Sequence, residues 1–338
     1  MGRKTLGHRH SLRCEAIVRR LSDGSLLLLS QCGGMKEPDP ANRVYAFRSD
    51  DGEKWSAPVP VGDNGRALYA TDLDVCGDKI TTYVAEHGGG FLDFDCYALV
   101  SEDRGESWKK EPLPCFSDTF VFLRGTVRHG GKTLVAYQHY PIGKEENDAL
   151  AAEGKTILDS SLPFVLCGAL VSEDGVHFTK GEDIAIPNEF AGKRVWQWPE
   201  PTIAFLPGSG YAMLLRVNGA GVLYRSDSPD GLHWSRAYPT DIPNPNNKPK
   251  LINLQGGAIA LINTPGRGVG FKYRNPLEIW ISDDGMKSWR YKKRVLDFPG
   301  WLSYPDGFAE GDRILFSFEV NRHDVYFADC DISDYFSK

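Results

Sequence analysis

Five copies of a Ser-x-Asp, Gly, aromatic box, six apolar hairpins out of phase with them, and the lack of any helical period predict an all-β fold. The architecture expected is a six-bladed β-propeller of four-stranded antiparallel blades. The boxes read SDDGEKW (49–55), SEDRGESW (101–108), SEDGVHF (172–178), SPDGLHW (228–234) and SDDGMKSW (282–289), with starts 52, 71, 56 and 54 residues apart. Each suits a hairpin tip: Ser and Asp bond the loop's own backbone, Gly takes positive φ, and the aromatic tucks beneath.

The hairpins come in order at VRRLSDGSLLLLS (18–30), LDVCGDKITTYVA (73–85), TVRHGGKTLVAYQ (126–138), TIAFLPGSGYAMLLR (202–216), LINLQGGAIALIN (251–263) and GFAEGDRILFSFE (307–319). Apolar runs broken by short Gly turns read as paired strands. A box follows each of the first five, usually about two dozen residues later, which leaves room for a third and fourth strand per unit. The long gap between the second and third boxes holds GKEENDALAAEGKTILDSS (143–161), read as an insertion near 140–165 that contains a short helix. No linker of domain size interrupts the chain, so residues 1–338 are expected to form one domain.

Composition agrees with turn-rich β-structure: 36 Gly, 21 Pro and 12% aromatic residues. A net charge of −6 argues against a nucleic-acid partner. No apolar run approaches the roughly 18 residues of a membrane span. The N-terminus MGRKTLGHRHSLRC lacks an apolar stretch, so no signal peptide is visible. Seven scattered Cys without CxxC spacing suit free thiols, and a cytoplasmic location is the expectation unless a leader was removed. No His, Cys and Asp cluster has metal-ligand spacing, so neither metal nor cofactor is expected. DLDVCGD (72–78) lacks the calcium-loop pattern, and GRGVG (266–270) lacks the Gly-Lys-Ser/Thr of a phosphate loop.

The boxes, and SEDRGESW above all, resemble the Asp boxes of the sialidase (neuraminidase) superfamily, whose six-bladed propellers use them as structural loops away from the catalytic face. The resemblance covers essentially the whole chain and implies a site residue by residue. The first arginine of that family precedes the first inner strand, where LRCEAIVRR offers Arg13, with Cys14 and Glu15 in place of the family's Ile-Pro. PEPTIAFLPGSGYAMLLR supplies Glu200 and Arg216, YRNPLEIW supplies Arg274, and LSYPDGF supplies Tyr304. The acid/base carboxylate falls on the loop CGGMKEPDPANRVY, as Asp39 or Glu37. Asp72, before the second inner strand, is expected to face the axis and shape the pocket.

These residue types suit one chemistry. Guanidiniums of Arg13, Arg216 and Arg274 would grip a sugar carboxylate through charge-assisted bonds. A carboxylate nucleophile would be repelled by that group, whereas the neutral phenol of Tyr304 would not, and Glu200 would be its base. Sialidases with a Tyr nucleophile are a known exception to the two-carboxylate glycosidase scheme. The resemblance therefore implies a retaining exo-glycosidase acting on a terminal sialic acid or related 2-keto acid sugar of an acidic glycan. Two alternatives stay open: a hydrolase or lyase for another acidic sugar such as a uronic acid, and a non-catalytic glycan-binding propeller. Trp196, Trp198 and Trp301 are candidate apolar walls for a sugar ring. The oligomeric state is not read from the sequence.

Overall fold

The computed structural model describes residues 12–337 apart from 63, 89–93, 118–119, 156–163, 188, 191–192, 195 and 299. It is a six-bladed β-propeller with mainly four-stranded antiparallel blades, each built from strands in sequence order. The inner strands are Arg13–Arg20, Ala67–Cys76, Val121–His129, Trp196–Leu206, Lys250–Asn253 and Leu302–Glu310. Two blades depart from four strands. In the third, Ile184–Pro187 pairs as an extra strand with Phe164–Ser172. The sixth has three strands among the described residues. The helix Lys144–Ala152 lies in the expected insertion, between the second and third strands of blade 3.

Apolar runs, rather than alternating ones, form the inner hairpins because each blade is covered on both faces by its neighbours. Leu27 and Leu29 pack toward Leu68 and Val84 of blade 2, while Leu28 packs toward Leu315 and Val325 of blade 6. Leu26, Leu27, Leu28 and Leu29 are all buried, and each contributes about 1.5–3 kcal/mol by leaving water. Between blades 6 and 1 the ring closes through Ser317 Oγ donating to Ala16 O at 2.9 Å and Trp55 edge-on to Phe327 at 5.6 Å.

The boxes sit between third and fourth strands, as their chemistry requires. Asp103 Oδ1 accepts from the backbone N–H of Glu106 and Ser107 at 3.1 and 2.9 Å, and Ser101 Oγ accepts from Gly105 N at 2.7 Å. Gly105 has φ 88°, which a side chain would strain. The box aromatic tucks in as expected: Trp234 Nε1 donates to Gly231 O at 2.9 Å.

Candidate functional site

Inner strands converge on the propeller axis, and in five of the six the pairing with the second strand slips: between Cys14 and Ile17, Ala70 and Asp72, Val135 and Ala136, Trp196 and Glu200, and Ser303 and Asp306. A bulge turns side chains out of the pleat, here toward the axis. Two bulged residues hold positive φ without being Gly, Glu15 at 50° and Tyr304 at 51°. Such conformations cost on the order of 1–3 kcal/mol and persist only when neighbours enforce them. A side chain from an adjacent blade takes the amide of each. Glu15 N donates to Glu319 Oε1 at 2.7 Å, and Tyr304 N donates to Asn247 Oδ1 at 3.2 Å.

Tyr304 stands at the centre of a buried polar group. Its hydroxyl donates to Glu200 Oε1 at 3.0 Å and accepts from Arg216 Nη1 at 2.6 Å. Arg216 also bonds Glu200 Oε2 at 2.5 Å and, through Nε, Asn218 Oδ1 at 2.6 Å. The Glu200–Arg216 contact follows from register, since the two are directly paired across the blade 4 hairpin. The Arg274 guanidinium lies 5.5 Å from the Tyr304 ring centroid and donates to Ser303 Oγ at 2.9 Å and to Asn246 O. Burial holds the Tyr304 phenol well above its usual range, against the pull of Arg216.

Three further charges complete this upper tier. Glu15 accepts from Lys248 Nζ at 3.0 Å and Arg124 Nη1 at 3.3 Å. Burial opposes its ionisation, but Lys248 and Arg124 outweigh burial and hold the carboxyl below its usual range. Lys248 Nζ is 5.0 Å from the Tyr304 ring centroid, and Arg124 Nη2 is 3.9 Å from Glu200 Oε1. Glu15 stands where the resemblance led one to expect proline. Arg124 lies within the inner strand Val121–His129 and Lys248 just before the inner strand Lys250–Asn253, and neither carried a motif.

A second tier lies one step along the axis. Arg19 bridges Asp306 and Asp72, the latter at 3.2 Å, and Lys250 Nζ bonds Asp306 Oδ2 at 2.9 Å. Asp72 also accepts from Thr126 N and Oγ1, both at 2.9 Å. Asp72 thus faces the axis in the tier beneath Tyr304, as a tie between blades 1, 2 and 3.

The remaining candidates are Arg13, Glu37 and Asp39. Arg13 is buried, its Nη1 3.7 Å from Cys32 Sγ and its backbone N bonded to Arg322 O. Glu37 pairs with Arg322. Asp39 Oδ1 and Oδ2 accept from the backbone N–H of Ala41 and Met35 at 2.9 and 3.3 Å, which holds its carboxyl below the usual range. The structure therefore brings Tyr304, Glu200, Arg216 and Arg274 together, while Asp39 is bonded within its own loop and Glu37 is tied to Arg322 of blade 6. Trp301 packs against Phe271 at 5.0 Å, and Phe271 lies 4.2 Å under Arg274. The side chains of Trp196 and Trp198 fall outside the described residues.

A family model described as a BNR repeat-like domain matches residues 72–316. The chain belongs to that family. No curated protein matches this BNR repeat-like protein by sequence. Among solved structures it is similar to a protein of unknown function from Dyadobacter fermentans, at 17% identity and TM-score 0.73, covering 98% of this chain and 99% of the other. It is similar to the NanB sialidase of Streptococcus pneumoniae at 13% identity and TM-score 0.67, over 98% of this chain and 70% of the other. An α-L-arabinofuranosidase from Fusarium graminearum matches at 16% identity and TM-score 0.61, over 96% and 94%. At these identities the likeness establishes a sialidase-like propeller fold for the BNR repeat-like chain, and fold alone does not carry chemistry.

Proposed function

We propose that this protein is a retaining exo-glycosidase that removes a terminal sialic acid or related 2-keto acid sugar from glycoconjugates. The observation that carries the reading is the Tyr304 hydroxyl held between Glu200 Oε1 and Arg216 Nη1 in a buried, cation-rich group. Around that hydroxyl, Arg124, Arg216, Arg274 and Lys248 face the carboxylates of Glu15 and Glu200. This excess of positive charge favours an anionic sugar. Arg216 and Arg274 are the two guanidiniums beside the Tyr304 ring, suited to grip a carboxylate, with Arg13 as the third member of the set.

The phenol oxygen attacks the anomeric carbon while its proton passes to Glu200, and the glycosidic C–O bond breaks. Because burial opposes a free phenolate, removal of that proton has to accompany attack, which the 3.0 Å contact permits. Asp39 or Glu37 is assigned to protonate the departing oxygen, and it has to take up a proton first, since Asp39 rests on two backbone N–H groups and Glu37 is paired with Arg322. Water then cleaves the tyrosyl glycoside, giving one proton back to the carboxylate that acted as acid, while Glu200 returns its proton to the phenol oxygen.

Tyr304→Phe tests this directly. It is expected to lower turnover of an aryl α-ketoside of N-acetylneuraminic acid by on the order of 10³ or more while the sugar still binds. Unchanged turnover overturns the mechanism.

A second reading keeps the cations but changes the sugar to a uronic acid, hydrolysed or cleaved by elimination. Glu15, a carboxylate set among the cations where a proline was expected, favours it. An unsaturated product absorbing in the ultraviolet from a uronate glycoside identifies that case. Binding without turnover across both substrate classes identifies a glycan-binding propeller instead.

A further inference from the structure

Glu319 takes no part in the chemistry above, yet it is 0% exposed and belongs to the same polar group. It lies in the second strand of blade 6, directly opposite Ser303. Residues paired in this way project to one face of a sheet, and Ser303 Oγ is the acceptor for Arg274 Nη1 at 2.9 Å. Glu319 Oε1 accepts the strained Glu15 amide at 2.7 Å, and Oε2 has no hydrogen-bond partner among the described residues. Arg274 Nε is likewise buried without a partner. Two polar atoms left open in one buried site point to a ligand that meets both, since stranded polar atoms are costly.

Neighbouring carboxylates decide the form of Glu319. Glu15 has Lys248 and Arg124 in direct contact, whereas no cation hydrogen-bonds Glu319 among the described residues. Of two adjacent buried carboxyls, the one with cationic partners ionises and the other keeps the proton. A protonated carboxyl is a donor as well as an acceptor. Its Oε1 serves the Glu15 amide, which leaves the O–H at Oε2.

We propose that Glu319 is a ligand-binding residue of this site, a neutral carboxyl whose Oε2–H donates to the anionic group of the sugar beside Arg274. The inference rests on the acidic-sugar reading and deepens it. Unlike a fourth arginine, such a donor recognises the anion without adding charge, and it reverses its effect when it ionises. The ionised form offers no hydrogen and repels the ligand. Burial first, then the Glu15 charge, raise the Glu319 carboxyl to about 8, against Arg274 and Lys248. Cys14, the other titratable group beside it, is held as a neutral thiol by burial in spite of Arg322. Binding of the anion is therefore expected to fall as pH rises through about 8.

The test is titration calorimetry of the full chain with N-acetylneuraminic acid and with glucuronic acid at pH 6 and pH 9. With only the protonated form competent, affinity for the better-bound sugar falls about tenfold over that interval. Glu319→Gln keeps a neutral donor and is expected to change less than twofold. Glu319→Met, neutral without a donor, is expected to bind more weakly at pH 6 and to be equally flat. Either variant alone reads out the pH term if the other fails to fold. A wild-type protein that binds with no loss at pH 9, or variants that lose as much as wild type, overturn the role of Glu319 and leave the anion site standing. Failure of wild type to bind either sugar at pH 6 overturns the acidic-sugar reading, and this inference with it.

Discussion

Asp306→Asn removes one carboxylate from the axial tier formed by Arg19, Asp72, Lys250 and Asp306. Asp306 is buried and bonded to both Arg19 and Lys250. Breaking such a pair by deleting one partner costs about 3–5 kcal/mol, because the other charge stays in the interior unpaired. Arg19 keeps Asp72, but Lys250 Nζ loses its 2.9 Å partner. Lys250 is already held below its usual range, chiefly by burial, so loss of Asp306 leaves its buried ammonium without a carboxylate in contact. An unfolding entropy of about 2.1 cal/mol/K per residue gives roughly 0.7 kcal/mol/K for 338 residues. The expected fall in Tm is therefore about 4–7 °C, read by calorimetry at pH 7. Acid supplies an independent check. Burial raises the Asp306 carboxyl, but Arg19 and the two lysines outweigh it and bring it down to about 2. A depressed carboxyl stabilises the fold above its unfolded value near ~4 and loses that contribution as pH falls toward 2. The wild-type advantage over Asp306→Asn should shrink in that window. Adding Lys250→Met to Asp306→Asn removes the stranded ammonium and is expected to recover part of the loss. A Tm within about 1 °C of wild type, or a double variant no more stable than the single, refutes the reasoning.

Two further predictions separate the scaffold from the site. Asn247 accepts the Tyr304 amide and donates through Nδ2 to Thr264 Oγ1 at 2.8 Å and Leu302 O at 3.1 Å. Asn247→Ala should release the positive-φ backbone of Tyr304 and lower kcat for the aryl ketoside more than it raises KM; an effect on KM alone counts against a positioning role. Asp103 organises the second box well away from the axis. Asp103→Ala should lower the urea midpoint while leaving sugar affinity unchanged at low temperature, and lost binding in a folded variant contradicts the structural role of the box.

Much of this architecture was legible because it is local. The bond from Ser107 N to Asp103 spans four residues, so a short motif carries all the information for its own turn, and repetition then counts the blades. Glu200 and Arg216 were legible for the same reason, being paired across one hairpin. Asp72 was expected before the second inner strand and lies within it, in Ala67–Cys76; its ties to Arg19 and Thr126 were not legible, because the bulge that sets it follows from packing between blades.

Local hydrogen bonding and apolar periodicity, both written within a few dozen residues, determined from the sequence alone that this chain is a propeller with its polar residues at the inner ends of the blades. Which charges meet there was decided only by closing the ring. Glu15 finds Lys248 at a separation of 233 residues and Glu319 at 304, and nothing periodic links such positions. The outcome is that Glu15 ionises between two cations while Glu319, one blade away, holds a proton. Two identical side chains acquire opposite states because burial and neighbouring charge, rather than residue type, set the energy of ionisation.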